Sequence, residues 1–227
     1  MSTVENDDFI ASEGHLCRPD DASYFSAPLD AAKSGRLVFA SGSQGLELLA
    51  DRSLPYLYRA SFRHHVPRVS VQGNIVTFDY GRHPRLGPSL NLRRSRADIS
   101  LNGAIPWEIE FREGVSHLNA NLSRLQLCSL DILGGASQIR LSLSQPSGTA
   151  FIYISGGVSQ AALHVPFLSG IRVRISGGST NLTFSDQHFR AIGGETSLQS
   201  PDFESTAGRY DICIAGGTSN LTIERKG

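Results

Sequence analysis

The sequence predicts an all-β fold, a single β-solenoid whose stacked turns of about 21 residues meet at glycine-glycine corners. A repeated phrase, its near-constant spacing and the apolar pattern on both sides of it support this prediction. The phrase reads ILGGASQIRLSL at residues 132–143, ISGGVSQAALHV at 154–165, ISGGSTNLTF at 175–184 and IAGGTSNLTI at 214–223. An antiparallel β-sandwich or barrel, with the glycine phrases as turns, is the alternative.

The spacing of the phrase is regular. Its marker glycine recurs at intervals of 21, 22 and 21 residues, at Gly114, Gly135, Gly157 and Gly178. Self-similarity at this period indicates a stacked array in which each unit buries its apolar face against its neighbours. The next interval, to Gly217, is 39 residues and contains IGGETSLQS at 192–200, so two turns are predicted there, with a loop near residues 201–208.

Apolar residues alternate with other residues on both sides of the glycines, as they do in strands. Two inward columns are predicted before the glycines, Phe111, Ile132, Ile154, Ile175, Ile214 and Ile109, Leu130, Ile152, Val173, Ile212. A third follows them, Leu118, Ile139, Ala161, Leu182, Leu221. Glycine accepts the backbone angles that a corner needs. The predicted structural corners are therefore Gly134, Gly135, Gly156, Gly157, Gly177, Gly178, Gly216 and Gly217.

Weaker copies of the phrase at residues 36–48 and 68–80 favour one continuous domain over two. We expect a β-solenoid domain over 35–227, with irregular turns at 35–104 and regular repeats at 105–227. Residues 1–34 carry seven acidic residues against Arg18 and Lys33 and show no apolar periodicity. They are interpreted as a flexible acidic arm.

The composition favours a cytoplasmic protein without cofactors. The 21 basic and 21 acidic residues balance, and the first residues are acidic where a signal peptide is basic. No apolar stretch approaches the roughly 18 residues of a membrane span, so no membrane insertion is expected. Three scattered cysteines do not suggest a disulfide framework. The seven histidines never lie at metal-ligand spacing with Cys, Asp or Glu, so no metal site is expected.

Two polar columns follow the glycines. Hydroxyls at Ser116, Ser137, Ser159, Thr180 and Ser219 are predicted to face inward and to bond the turn backbone. Five equivalent serine or threonine residues argue against a nucleophile. An outward column of His117, Gln138, Gln160, Asn181 and Asn220 is predicted to hydrogen-bond from turn to turn, with ligand binding as the alternative.

The outward positions before the glycines predict a protein interface. If the turns stack in sequence order, this face changes from acidic through aromatic to basic, along Glu108, Glu110, Asp131, Phe151, Tyr153, Arg172 and Arg174. Exposed aromatic side chains on a flat sheet indicate a surface that another body covers. A protein partner is expected, including a second copy whose antiparallel face would match acid to base. Cover by the N-terminal arm or by a loop is the alternative.

Two other features of the sequence bear on alternative functions, a basic segment and a cluster of carboxylates. Residues 82–96 hold five arginines, Arg82, Arg85, Arg93, Arg94 and Arg96, which could meet nucleic acid or an acidic partner, although a solvated loop is the plain interpretation. A carbohydrate-active β-helix enzyme needs converging carboxylates. Only Glu108, Glu110 and Asp131 cluster in the regular part, and nothing else converges on them. The protein is therefore predicted not to be an enzyme, and no small-molecule substrate is expected.

The segments WEIEFREGVSHLNANLSRLQLCSLDILGGASQIRLSL, ISGGVSQAAL and ISGGSTNLTF resemble toastrack, or adhesin-like, β-solenoid domains (DUF4097-like) of bacteria. These domains include the C-terminal part of LiaF-like envelope-stress regulators. The resemblance covers residues 105–225 well and 35–100 weakly. It implies a scaffold or interaction module in a stress, signalling or defence-type system, without catalytic residues. The transmembrane helices of LiaF-like proteins have no counterpart in this sequence, which favours a soluble relative.

Overall fold

The computed structural model describes residues 22–81 and 96–226, and within these ranges the regular elements are nineteen β-strands. In chain order they are β1 (Ser23–Pro28), β2 (Gly35–Phe39), β3 (Ser43–Asp51), β4 (Tyr56–Arg63), β5 (Arg68–Gln72), β6 (Ile75–Asp79), β7 (Arg96–Asn102), β8 (Pro106–Phe111), β9 (Val115–Asn121), β10 (Gln126–Ile132), β11 (Ala136–Ser142), β12 (Thr149–Ile154), β13 (Val158–Pro166), β14 (Gly170–Ile175), β15 (Ser179–Phe184), β16 (Gln187–Ile192), β17 (Thr196–Gln199), β18 (Arg209–Ile214) and β19 (Thr218–Lys226).

The strands form two sheets that enclose one continuous apolar core. The ten-stranded sheet has the order β1-β4-β7-β3-β9-β11-β13-β19-β15-β16, and the nine-stranded sheet has the order β17-β14-β18-β12-β10-β8-β2-β6-β5. Neighbouring strands run parallel through the middle of both sheets and antiparallel towards both ends. The predicted all-β solenoid is confirmed.

A coil of the solenoid is one strand from each sheet, joined by a short corner. Side chains of all three predicted inward columns are buried, and equivalent residues are paired across neighbouring strands, such as Ile132 with Ile154 and Ile139 with Ala161. The predicted corner glycines all lie between the two strands of a coil. A Cβ added to Gly156 would lie 2.7 Å from the carbonyl carbon of Gly134 in the next coil, so the corner has no room for a side chain.

The order of the coils differs from the sequence order that we assumed. Coil β18–β19 lies between coils β12–β13 and β14–β15, with β18 parallel to both β12 and β14. The glycine pair at residues 193–194 joins β16 to β17, which run antiparallel to β15 and β14 and end the stack. Because Ile175 and Ile214 fill the same inward column equally well, the apolar pattern does not encode which coil lies inside.

The N-terminal end is built differently from the repeats. Strand β1 pairs with β4 and buries Ala27, so the sheet begins before residue 35 and takes up part of the segment interpreted as an acidic arm. Residues 1–21 lie outside the described ranges. The core at this end is aromatic, with the ring of Phe39 stacked on Phe111 at 4.5 Å between centroids and a tilted contact to Phe78 at 5.5 Å.

The polar columns after the glycines depart from strict alternation. Positive φ angles of 52° to 54° occur at His117, Gln138, Gln160, Asn181 and Asn220, and Gly45 has φ 70° at the corresponding position of β3. With this kink, the buried residues are the one two positions before it and the one directly after it, such as Ala136 and Ile139 around Gln138. The hydroxyl column predicted to be buried is therefore exposed or half-buried, and the residue before each hydroxyl, such as Val115 or Ala136, is buried in its place.

Candidate protein interface

The outward side of the nine-stranded sheet, called the outer face, carries the predicted interface residues in register. One column runs Glu110, Asp131, Tyr153, Cys213, Arg174, and the neighbouring column runs Glu108, Ser129, Phe151, Asp211, Arg172. The inserted coil thus places Cys213 and Asp211 between the aromatic and the basic residues. The direct change from aromatic to basic that sequence order implied is wrong.

Three large apolar side chains are exposed on this face, two of them on β12 and one directly after the end of the neighbouring strand β10. Phe151 is 54% exposed, Leu133 is 47% exposed and Tyr153 is 36% exposed, and these three residues are called the aromatic patch. Residues on the adjoining strand β18 and its corner are small, a half-buried Cys213 and an exposed Ala215. The sequence analysis missed Leu133, although its position two residues after Asp131 is the signal that places it on the same face.

The basic side of the outer face is largely neutralised within the molecule. The Asp211 side chain, only 6% exposed, accepts hydrogen bonds from Arg172 Nη2 at 2.5 Å and from Arg174 Nη2 at 3.1 Å. The hydrogen bond to Asp211 raises the pKa of Arg172. The guanidinium of Arg172 also lies 4.5 Å from the ring centroid of Phe203. Arg172 and Arg174 therefore share one buried counter-charge.

The acidic side is also paired, except at Asp131. Glu110 accepts hydrogen bonds from Arg36 Nη2 at 2.6 Å and from Arg112 Nε at 3.0 Å. Burial disfavours the charge of Glu110, but these two hydrogen bonds outweigh it and lower the pKa. Asp131 has a raised pKa, because it is partly buried and lies near the negative charges of Glu110 and Glu108. The hydroxyl of Ser129 donates a hydrogen bond to Asp131 Oδ2 at 3.2 Å.

These ion pairs limit what the charged residues of the outer face can contribute to binding a partner. A charge that is already hydrogen-bonded within the molecule has less to gain from a second molecule, since the existing pair must be broken or shared. The acid-to-base match that we expected between two antiparallel faces is therefore reduced. The aromatic patch is the part of the outer face that has most to gain from being covered.

The other sequence predictions fall elsewhere. Arg82, Arg85, Arg93 and Arg94 of the basic loop lie outside the described residues, and Arg96 begins β7 and pairs with Asp98 at 3.1 Å. The structure brings Glu108, Glu110 and Asp131 together on β8 and β10, as the enzyme alternative required. In the described ranges no three His, Cys, Asp or Glu residues are placed to hold a metal ion, and no helix there could cross a membrane.

Residues 68–164 match the family model described as the N-terminal domain of toast_rack, DUF2154. The resemblance to toastrack domains is confirmed. The matched segment includes the whole aromatic patch and the acidic side of the outer face, whereas Arg172 and Arg174 lie beyond it. It also includes three coils of the regular stack, β8–β9, β10–β11 and nearly all of β12–β13.

Two solved structures are similar to the chain. A candidate cell adhesion protein from Clostridium sporogenes has a TM-score of 0.71 and 18% identity, covering 91% of this chain and 100% of its own. At that identity the likeness shows the fold alone. A candidate adhesin from Bacteroides fragilis covers 91% of this chain and 97% of its own with 8% identity, and its TM-score of 0.32 carries no argument. No curated protein matches the chain.

Proposed function

We propose that the chain is a non-enzymatic scaffold that binds a protein partner through the aromatic patch. The observation that carries this proposal is the exposure of Phe151 and Tyr153 on one face of β12, in a regular, mostly parallel sheet, with an exposed Leu133 directly after the neighbouring strand β10. Interface centres are enriched in aromatic residues and depleted of unpaired charge, and the charged residues around this patch, apart from Asp131, are already paired within the molecule. The partner includes, as one case, a second copy of the chain.

The likenesses support an interaction role. Residues 68–164, which resemble toastrack domains, contain the patch, and the similar structure from Clostridium sporogenes is described as a candidate cell adhesion protein. We place the chain in a bacterial stress, signalling or defence-type system on the toastrack resemblance. Its cytoplasmic location stays a prediction from the sequence.

The enzyme alternative receives little support from the geometry. A glycoside hydrolase of the usual kind needs one carboxyl group that stays protonated and a second that is free to act as nucleophile or base. Glu110 is held by two arginines, which favour its ionised form and occupy its oxygens. Asp131 is hydrogen-bonded by Ser129, and the cavity beside these acids is lined by Glu108 but by neither Glu110 nor Asp131, so no two of these carboxyl groups converge on it.

The test is a double variant, Phe151→Ser with Tyr153→Ser. Both side chains point to solvent, so the fold should remain and the melting temperature should change little. Association should be lost in light scattering of the purified chain and in pull-down of partners from the source cells. Phe167→Ser is the matched control, because Phe167 is 65% exposed but lies in the turn between β13 and β14. Association that survives the double variant would discard the aromatic patch as the interface.

A further inference from the structure

A polar groove crosses the outward side of the ten-stranded sheet, on the opposite sheet from the aromatic patch. Six polar side chains line it, Glu47, His117, Asn119, Gln138, Arg140 and Gln160. Three of them, His117, Gln138 and Gln160, come from the positive-φ column and form one wall. The other wall follows the register of Glu47, Asn119 and Arg140 across β3, β9 and β11. Strand spacing therefore repeats polar groups about every 4.8 Å along the groove.

The positive-φ residues of this wall adopt a backbone conformation that costs free energy for side-chain-bearing residues, and glycine would lower that cost. Glycine adopts this region freely, and Asn and His are the more tolerant of the other residues. Gly45 shows that glycine fits this column. Gln138 and Gln160 nevertheless keep long side chains there, each at φ 53°. Strained backbone conformations of this kind cluster at sites where the residue has a functional role.

That role is not the turn-to-turn hydrogen bonding that the sequence suggested for this column. The predicted ladder is formed at one step, where Asn181 Nδ2 donates to Asn220 Oδ1 at 2.5 Å. Among the described residues, the side-chain amides of Gln138 and Gln160 have no hydrogen-bond partner, although the two residues lie on adjacent strands. The stabilising role therefore belongs to the asparagine end of the column, and the glutamine end presents free amides to the groove.

We propose that this groove binds a neutral, hydroxyl-rich chain, that is, an oligosaccharide or polysaccharide lying across β3, β9, β11 and β13. An amide offers a donor and an acceptor in one plane, and a pair of neighbouring sugar hydroxyls offers the complementary acceptor and donor. Arg140 adds donors, and Glu47, which accepts from Asn119 Nδ2 at 2.8 Å, adds an acceptor. The regular spacing of these groups suits a ligand that is itself a repeat.

Other ligand classes fit the groove less well. An extended peptide gains its main-chain hydrogen bonds at a sheet edge, whereas these strands are paired on both sides. Nucleic acid needs a run of unpaired cations, and here Arg140 is opposed by Glu47 in the same groove. A lipid chain needs a continuous apolar lining, whereas six of the ten residues that line the groove are polar. A neutral glycan needs none of these features.

The experiment uses the full chain on an array of neutral and acidic oligosaccharides of four or more sugars, followed by calorimetry with a retained neutral oligosaccharide. The test variant combines Gln138→Gly and Gln160→Gly. We expect binding to weaken by about tenfold or more, since several hydrogen bonds to the sugar are lost. The melting temperature should stay the same or rise, because glycine relieves the positive-φ strain at both positions.

The matched control combines Asn181→Gly and Asn220→Gly, in the same column but outside the groove lining. This variant should keep glycan binding and should melt earlier than the glutamine variant, because glycine relieves positive φ in both variants but only this one loses a hydrogen bond. An array that retains no neutral glycan overturns the proposal, as does retention of acidic glycans or peptides alone. Glutamine variants that melt as early as the asparagine control, with binding unchanged, would make the whole column structural. The groove and the aromatic patch lie on different sheets, so either proposal can fail alone.

Discussion

The N-terminal end and the regular coils reach a buried core by different means. In the regular coils, from β8 to β15 and in β18–β19, equivalent aliphatic side chains stack in columns and the corners close on bare glycine backbone. At the N-terminal end, rings of Phe25, Phe39, Tyr58, Phe62 and Phe78 interlock without a repeat, and strands β1, β4 and β5 run antiparallel to their neighbours.

Because of this difference, the two parts are expected to tolerate mutations in the core differently. A column distributes its contacts over many equivalent residues, so one small loss is shared by the stack. The aromatic end concentrates its contacts in a few large side chains that occur once each. We expect the two parts to respond unequally to the loss of side-chain volume and to its gain.

The largest effect is expected for Phe78→Ala. Phe78 is fully buried and contacts the rings of Phe39, Tyr58 and Phe62 at 5.2 to 5.8 Å between centroids. Removing the ring should lower the free energy of unfolding by about 3–5 kcal/mol, measured by urea denaturation. Ile152→Ala, a truncation to the same residue in a regular column, should cost less, towards the lower end of about 2–5 kcal/mol. Equal costs for the two variants would contradict the division drawn here.

A gain of volume should harm the regular coils instead. A Cβ at Gly156 would come within 2.7 to 2.8 Å of three backbone atoms of the neighbouring corner. Backbone cannot move aside as a side chain can, so Gly156→Ala should cost about 1–3 kcal/mol of the same free energy. Gly148→Ala is the control, because no atom lies within 4 Å of its added Cβ. Tolerance of Gly156→Ala would show that the coils can separate at the corner.

The smallest effect is expected where the two parts meet. Arg36 on β2, at the N-terminal end, bonds Glu110 on β8, whose pKa is lowered in the folded chain. A carboxyl group with a lowered pKa stabilises the fold at neutral pH, and this contribution disappears as protonation proceeds in acid. Glu110→Gln should therefore melt at a lower temperature than wild type at pH 7, with a loss of up to about 1 kcal/mol in the free energy of unfolding. In acid, the variant and wild type should melt at the same temperature.

Asp131, one strand further into the coils, should show the opposite sign. Its pKa is raised by burial and by neighbouring acids, so its charged form destabilises the fold at neutral pH. Asp131→Asn should then melt later than wild type at pH 7, and the difference should vanish when Asp131 is protonated. Thermal melts of both variants across the acid range test the pair. If both variants shifted the melting temperature at pH 7 in the same direction, the pKa directions assigned to Glu110 and Asp131 would be wrong.

Much of the fold could be predicted because apolar periodicity and double glycines report local geometry directly. The three inward columns and the corner glycines are where the pattern placed them. Coil order could not be predicted, since Ile175 and Ile214 present the same side chain to the same column. The hydroxyl column was misplaced because the positive φ at residues such as Gln138 shifts the alternation by one residue.

The outer face could be predicted in part. Period two alone places Phe151, Tyr153, Arg172 and Arg174 on one side of a sheet. It does not reveal that Asp211 comes to lie beside both arginines, because that contact depends on which coil is inserted. The groove was missed since its glutamines were assigned to a ladder, and only side-chain positions distinguish a bonded amide from a free one.

The position of coil β18–β19 bears on how the chain is made. Residues 209–226 leave the ribosome after residues 170–184, yet they lie between these residues and the earlier coil β12–β13. During synthesis, β14–β15 must either wait or first occupy the neighbouring place, one strand spacing of about 4.8 Å away, and then release it. A vectorial assembly that simply adds each coil to the last cannot produce this stack.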